Sequence, residues 1–160
     1  MPTPPLFAQE KDDTCALACL RMILADNHIA VTEEELEKRA NKETGGIEIL
    51  ELQRLARGFG LKADILRLDV EAIAAWLARK IFPIVYLNRV HFDQRSYPSR
   101  QAALQNPIVH AVVPIRVSKA FVTINDPLPP AKKRRILKRK FADAQADLEQ
   151  LCLVCGRGSL

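Results

Sequence analysis

Cys15 is the residue of this chain whose position best suits covalent chemistry. The apolar residues after it recur at helical spacing through Leu24. Asp12 and Asp13 precede them and offer N-cap side chains, so the pattern predicts a buried helix from about Thr14. Cys15 would then lie in the first helical turn, where unpaired N–H groups and the helix dipole favour a thiolate. A thiolate is a nucleophile, and it needs a base that accepts and returns a proton.

His110 is the preferred base among the three histidines of the chain. It begins a predicted strand over residues 109–117, which a turn around Ser118 would join to a second strand over residues 120–126. In that hairpin Asp126 lies directly opposite His110, with Cβ atoms roughly 4.5–5.5 Å apart. The carboxylate of Asp126 would then hold one imidazole N–H, as in a Cys-His-Asp triad.

Other residues offer competing roles. His91 is a rival base in a long loop, but no acidic residue lies at a hairpin distance from it, and His28 lies in a polar turn. Cys19 follows Cys15 by one helical turn and could act as a resolving thiol in redox control. Burial in the core is the commoner state of such a cysteine, so we assign Cys19 no role.

The elements that must position these residues change character along the chain. The N-terminal half carries helical patterns and capping signals, in which Thr32 with Glu35 forms a capping box and Asp69 an N-cap. Later runs are short, β-branched and separated by turn residues. Predicted helices cover residues 14–24, 32–40, 49–59 and 69–77, and predicted strands cover 62–68, 82–87, 109–117, 121–125 and 151–154. This order predicts an α+β fold, with an N-terminal helical layer packed on a mainly antiparallel C-terminal sheet.

The spacing of Gln9 and Cys15 carries a family resemblance. A glutamine six residues before a cysteine that opens a helix resembles the papain-like double-glycine leader peptidases, which process bacteriocin and peptide-pheromone precursors. Further motifs that match lie at residues 46–52, 56–61, 82–85, 110–113 and 124–127. The resemblance covers most of the chain and implies a papain-like cysteine peptidase fold.

The same resemblance implies a role for each motif residue. Cys15 would be the nucleophile, His110 the general base and later the acid, and Asp126 the residue that orients the imidazole. The side-chain amide of Gln9 would donate to the oxyanion, with the backbone N–H of Cys15 as second donor. Donors of this kind are typically worth about 3–4 kcal/mol each to the transition state.

Two features depart from the usual pattern of the family. Ala16 stands where the family usually has glycine, and residues 88–107 lengthen the approach to His110 as a predicted exposed loop. Both features bear on substrate access. Gly45 and Gly46 could suggest self-cleavage, but a glycine turn that opens the next helix explains them better.

The charge of the chain is concentrated in one basic segment, residues 132–140, which begins with Lys132 and ends with Lys140. It holds seven of the 24 basic residues, and the other 17 are balanced by 19 acidic ones. General nucleic-acid binding is therefore not expected, because it needs a broad positive face. The segment is predicted to be an edge strand protected by lysines, with binding of an acidic partner as the alternative.

Composition indicates a single domain over residues 1–160, of ordinary size and polarity. The N-terminus lacks the pattern of a secretory signal, and no apolar run is long enough to cross a bilayer. We therefore expect a cytoplasmic, stand-alone member of the family without a transporter. Cys15, Cys19, Cys152 and Cys155 could formally hold zinc, but residues three apart on a strand point to opposite faces, so no metal or cofactor is expected.

The sequence thus predicts a cysteine peptidase that cleaves a peptide bond, with a Gly-Gly-type leader as one candidate substrate, through a thioester on Cys15. The same triad could carry out deamidation or acyl transfer, because these reactions begin with the same thioester. A non-catalytic peptide- or protein-binding module of the same fold is the alternative from a different class.

Overall fold

A computed structural model describes residues 2–41, 46–93, 99–105 and 108–160. Their helices are α1 (Cys15–Asp26), α2 (Glu33–Arg39), α3 (Ile49–Gly58), α4 (Val70–Ala78), α5 (Arg100–Gln105) and α6 (Lys138–Ala146). Their strands are β1 (Lys62–Arg67), β2 (Ile84–Asn88), β3 (Val109–Val117), β4 (Phe121–Asp126), β5 (Lys132–Leu137) and β6 (Leu151–Gly156). None of the helices in the described part of the chain is long and apolar enough to span a membrane.

The six strands form one antiparallel sheet in the order β1-β6-β2-β3-β4-β5. Helix α1 packs against β3 and lies between α2, α3 and the sheet. Eight of its twelve residues are buried, and Leu17, Leu20 and Leu24 are fully inaccessible. The α+β prediction is confirmed, and a helix buried on nearly every side gives Cys15 a rigid support.

Local capping signals explain most helix starts. The predicted capping box is present, because the Thr32 side chain accepts from the N–H of Glu35 and the Glu35 carboxylate accepts from the N–H of Thr32. Asp69 caps α4 through the N–H of Ala72. The N-cap expected for α1 at residues 12 and 13 is wrong: Thr14 holds that position, with its hydroxyl bonded to the backbone of Lys11.

The hairpin of β3 and β4 differs from its predicted register. Val113 lies opposite Asn125 and Pro114 opposite Ile124, which displaces the pairing by two residues, and an irregularity follows between Pro114 and Arg116. Asp126 is therefore diagonal to His110 rather than directly opposite. A displacement of two residues keeps side chains on the same face, whereas one residue would have separated them.

Two further predictions concern the second half of the chain. The basic segment does form an edge strand, β5, which pairs with β4 on one side. Its last residues instead begin α6, a helix that the sequence analysis missed because Lys138, Arg139 and Lys140 carry no apolar periodicity. The segment expected to be a long loop is not irregular throughout, since it contains a 3₁₀ turn (Arg89–His91) and α5; residues 94–98 and 106–107 lie outside the described residues.

Candidate active site

Cys15, His110 and Asp126 form a chain of contacts at the end of the sheet where β3 begins and β4 ends. His110 Nε2 lies 2.7 Å from Asp126 Oδ1. The other ring nitrogen, Nδ1, is left for Cys15, whose side chain hydrogen-bonds His110. His110 and Asp126 are 3% and 2% exposed, while Cys15 is partly exposed at the first helical residue of α1. Cys15 is therefore the member of the triad that is partly open to solvent, and the two groups behind it are held away from water.

The electrostatic interactions within the triad favour the charged forms of Cys15, His110 and Asp126. Burial opposes ionisation of Cys15, but the hydrogen bond and charge of His110, with the N–H groups of Ala111 and Ala16, bring the thiol pKa below its ordinary value. Burial likewise disfavours imidazolium at His110, but Asp126 and Cys15 raise the pKa of the imidazole overall. The arrangement thus stabilises a thiolate beside an imidazolium.

The carboxylate of Asp126 is fixed from several directions. Burial would raise its pKa, but His110, the N–H of Leu128 at 3.0 Å and the Arg134 guanidinium lower it. Arg134 Nη1 lies 3.7 Å from Asp126 Oδ2. Sequence reasoning missed Arg134, which the strand alternation of residues 132–137 could have shown to share a face with Lys132 and Ile136.

Gln9 lies on the N-terminal segment that runs beside the end of β4. The N–H of Gln9 donates to Pro127 O at 2.9 Å, and Asn125 Nδ2 donates to Pro4 O at 2.9 Å. The Gln9 side chain is 5% exposed, and its Nε2 donates to the carbonyls of Lys11 and Asp12 at 2.8 and 3.1 Å. Its Oε1 has no hydrogen-bond partner among the described residues.

A second histidine–carboxylate pair lies outside this chain of contacts. His91 Nε2 is 2.6 Å from Asp147 Oδ2, which also accepts from Asn88 Nδ2 at 2.9 Å. No acidic residue lies at a hairpin distance from His91, and its partner Asp147 comes instead from the C-cap of α6, an element absent from the predicted layout. The pair joins the Arg89–His91 turn to the C-terminal end of α6.

The remaining cysteines are buried in the core. Cys19 lies on α1, Cys152 and Cys155 lie on β6, and all four cysteines are free thiols. Burial raises the pKa of both Cys152 and Cys155 to about 12. The described residues contain no group of three or more histidine, cysteine or carboxylate side chains that could hold a metal ion.

An apolar groove of about 590 Å³ includes Tyr86, whose hydroxyl interacts electrostatically with Cys15. Two of its lining residues adjoin the triad through the sheet: Val109 precedes His110 in β3, and Tyr86 lies opposite Ala111. Leu50 and Val109 are 66% and 49% exposed and line the same groove, and exposed apolar side chains that share a groove are typical of a binding site. The groove is lined by Gly46, Ile47, Glu48, Ile49, Leu50, Tyr86, Val109, Asp147, Leu148, Glu149 and Leu151.

Comparison with known proteins identifies relatives of this chain. The pediocin PA-1 transport/processing ATP-binding protein PedD of Pediococcus acidilactici is 27% identical over 135 residues, which are 84% of this chain and 16% of PedD. The chain thus spans about one sixth of the length of this relative. A putative C39-like peptidase from Bacillus anthracis shares the fold with a TM-score of 0.75 at 18% identity, over 98% of this chain and 96% of that one.

A further structural match is a double glycine motif protease from an AMS/PCAT transporter in complex with the leader peptide. Its TM-score is 0.71 at 20% identity, over 96% of this chain and 91% of that one. The model of the Peptidase C39 family matches residues 4–145. This range contains Gln9, Cys15, His110 and Asp126, and the resemblance predicted from the sequence is confirmed: the chain belongs to the Peptidase C39 family.

Proposed function

We propose that this chain is a cysteine peptidase in which Cys15 is the nucleophile, His110 the general base and acid, and Asp126 the residue that orients the imidazole. The observation that carries the proposal is the buried contact chain from Asp126 through His110 to a partly exposed Cys15 at a helix N-terminus. That arrangement supports a preformed thiolate without a metal or an external base.

The reaction would proceed in two halves. The Cys15 thiolate attacks the scissile carbonyl carbon, and the His110 imidazolium gives its Nδ1 proton to the leaving amine, which yields a thioester and a free amine. A water molecule then gives a proton to His110 and attacks the thioester, which releases the carboxylic acid and regenerates the thiolate. Asp126 keeps Nε2 protonated throughout, so Nδ1 is the nitrogen that exchanges the proton.

Gln9 would stabilise the oxyanion of both halves together with the backbone N–H of Cys15. The proximity of the Gln9 segment to the end of β4 supports this role. Both Nε2 hydrogens of Gln9 are used by the carbonyls of Lys11 and Asp12. One of these bonds therefore has to be exchanged for the oxyanion when substrate binds, as in an active site whose donors tighten only around the substrate.

The groove lined by Leu50, Tyr86 and Val109 would bind the apolar residues of a peptide substrate. Exposed Leu50 and Val109 supply apolar contact area, and Tyr86 donates its hydroxyl to Ile47 O at 3.1 Å, which fixes one wall of the groove. A double-glycine leader is the candidate substrate, because two residues without side chains need little room beside a thiol that is only partly exposed. The solved relative with a bound leader peptide supports this substrate class.

The central experiment compares the wild type with Cys15→Ala and His110→Ala on a synthetic peptide that carries an apolar helix-forming stretch before Gly-Gly. We expect cleavage after Gly-Gly by the wild type and loss of cleavage in both variants. His91→Ala is the matched control, because it breaks the second histidine–carboxylate pair and leaves Cys15 untouched. Loss of activity in His91→Ala equal to that in His110→Ala would contradict the assignment, as would cleavage by Cys15→Ala.

The groove is tested by a second pair of variants. Leu50→Ala should raise KM by about tenfold, roughly 1.4 kcal/mol of lost binding, and leave kcat unchanged. Leu137→Ala also removes an exposed leucine, one that lies at the far end of β5, and should change neither constant. Equal effects of the two substitutions would remove the groove from the binding site.

We also propose that residues 1–160 form a single domain, which the continuous core supports. We propose in addition that the protein works in the cytoplasm, because its four cysteines are free thiols. Binding of an acidic partner to the basic segment, residues 132–140, stays a prediction. A pull-down with an acidic peptide against a Lys133→Glu and Lys140→Glu double variant would test it.

A further inference from the structure

Arg134 is the residue of the basic segment that points toward the triad. It lies opposite Ile124 on β4, while Asp126 lies opposite Lys132. Arg134 is therefore diagonal to Asp126 on the same face of the sheet, at about 7–8 Å between Cα atoms, a distance that a long side chain can span. The neighbours on its strand, Lys133 and Arg135, are exposed, whereas the Arg134 side chain is 24% exposed.

The guanidinium of Arg134 is held by three groups at once. Its Nη1 faces Asp126 Oδ2 at 3.7 Å, and its Nη2 donates to the carbonyl of Phe92 at 3.0 Å. Its Cζ lies over the Phe92 ring, 5.1 Å from the centroid. Because these contacts fix the planar guanidinium, it can restrict the orientation of the carboxylate that it faces. A lysine ammonium on a flexible stem would not impose such a restriction.

The two oxygens of Asp126 have separate partners. Oδ1 accepts from His110 and from the N–H of Leu128, and Oδ2 faces Arg134. Rotation of the carboxylate about its Cβ–Cγ bond would break all of these contacts together. We propose, on the basis of the peptidase function above, that Arg134 is a positioning residue that locks the Asp126 carboxylate in the plane in which it holds His110 toward Cys15.

The other charged groups near Asp126 do not hold its carboxylate, because they are paired elsewhere or exposed to solvent. A cavity of about 500 Å³ on this side of Asp126 is also lined by His91, Asp93, Lys132 and Lys140. Asp93 is paired with Arg89 at 2.8 Å, and His91 with Asp147. Lys132 and Lys140 are exposed, so solvent screens their charges, and Arg134 is the cation in contact with the carboxylate.

The test compares Arg134→Met and Arg134→Lys with the matched control Arg135→Met. Arg135 is the next residue, points to the opposite face and also stacks on a phenylalanine, Phe121, at 4.1 Å. The readouts are the pH dependence of iodoacetamide alkylation at Cys15 and of kcat/KM. Circular dichroism at each pH confirms that every variant is folded over the range compared.

Arg134→Met should lower kcat/KM near neutrality by about 10- to 100-fold, because the imidazole is less well aimed. The pH window of kcat/KM should also narrow from both ends, and the alkylation of Cys15 should report the same shift of the acid limb. Its acid limb moves to higher pH because Asp126 and Cys15 lose a favourable cation. Its alkaline limb moves to lower pH because an unlocked carboxylate supports the imidazolium less. Arg134→Lys should restore the acid limb and leave the alkaline limb shifted, and Arg135→Met should match the wild type.

Three results would overturn the inference. One is an unchanged window in Arg134→Met. Another is a shift of both limbs to higher pH by the same amount. That shift is expected if Arg134 acts only through its positive charge and does not fix the orientation of the Asp126 carboxylate. A third is an equal effect of Arg135→Met. If wild-type Cys15 itself alkylates like a free thiol and ignores His110→Ala, the proposed function fails first, so the two failures are distinguishable.

Discussion

Cys15 shows how one residue position combines several weak effects. The helix N-terminus, the N–H groups of Ala16 and Ala111 and the imidazole of His110 all favour the thiolate, and together they overcome burial. Burial without such interactions raises a thiol pKa, as it does for Cys152.

The pH dependence of activity follows from the directions of these shifts. The pKa of Cys15 is lowered and that of His110 is raised, and both shifts favour the thiolate–imidazolium pair on which the proposed mechanism depends. We expect a bell-shaped profile of kcat/KM, with its acid limb below the ordinary thiol value of about 8.5 and its alkaline limb above the ordinary histidine value of about 6.5. A profile that rises only near pH 8.5 would mean that Cys15 reacts as an ordinary thiol.

Gln9 gives a second prediction at the residue scale. If its amide stabilises the oxyanion, Gln9→Ala should lower kcat by about 10²- to 10³-fold and change KM little. Gln9→Glu is the matched variant, because it keeps the size of the side chain and replaces the donor with a carboxylate. Rapid single-turnover measurements on both variants separate the chemical step from binding. Near-normal turnover in Gln9→Glu would show that the donor is unnecessary.

The elements show how much of this site the sequence could predict. Alternation along β3 and β4 put His110 and Asp126 on one face, and that parity survived a register displaced by two residues. The displacement itself was not predictable, because a hairpin register depends on turn geometry and on the irregularity after Pro114. The pairing of His91 with Asp147 was also out of reach, since it joins residues 56 positions apart through a helix with no sequence signal.

Helix α2 supports the segment that leads into Cys15. The buried Glu33 carboxylate accepts from the N–H of Glu10 at 3.0 Å, and Lys11 pairs with Glu37 at 2.7 Å. Helix α2 has only seven residues, so its capping box matters for its stability.

Removal of that cap is a prediction at the element scale. Thr32→Ala should destabilise the protein by about 1 kcal/mol, because the N–H of Glu35 loses its acceptor. Thr32→Ser keeps the acceptor and should stay close to the wild type. Urea unfolding measures the change, and kcat at a temperature well below the melting point should stay within about twofold of the wild type. A large loss of kcat with no loss of stability would place α2 in the chemistry itself.

At the scale of the whole molecule, the sheet order brings distant parts of the chain to one end. β3 begins, β4 ends and β5 begins at this end, which supplies His110, Asp126 and Arg134 from three adjacent strands. Helix α1 packs on β3 and adds Cys15 from the opposite layer. The catalytic groups are thus fixed by the fold, so their charges also contribute to the stability of the fold.

The pH dependence of that stability has a definite sign. The pKa of folded Asp126 lies below its ordinary value, so its contribution is present above the ordinary carboxyl range and is lost as the pH falls through the folded pKa. The pKa of folded His110 is raised, so its contribution is complete below the ordinary histidine pKa and is lost as the pH rises through the folded value. The two contributions coexist between about pH 4 and pH 6.5.

Asp126→Asn tests this linkage directly. Asparagine keeps the shape of the side chain and removes its negative charge. That charge stabilises the folded protein above the carboxyl pKa, and it also raises the pKa of His110. Urea titrations at a series of pH values give the free energy of unfolding of the wild type and of the variant. The wild type should be more stable at each pH, and its advantage should be largest between about pH 4 and pH 6.5 and smaller on either side. Other titrating groups such as Glu33 are common to both proteins and cancel in that difference. A constant difference at every pH would mean that Asp126 stabilises the fold through packing alone and carries no linked charge.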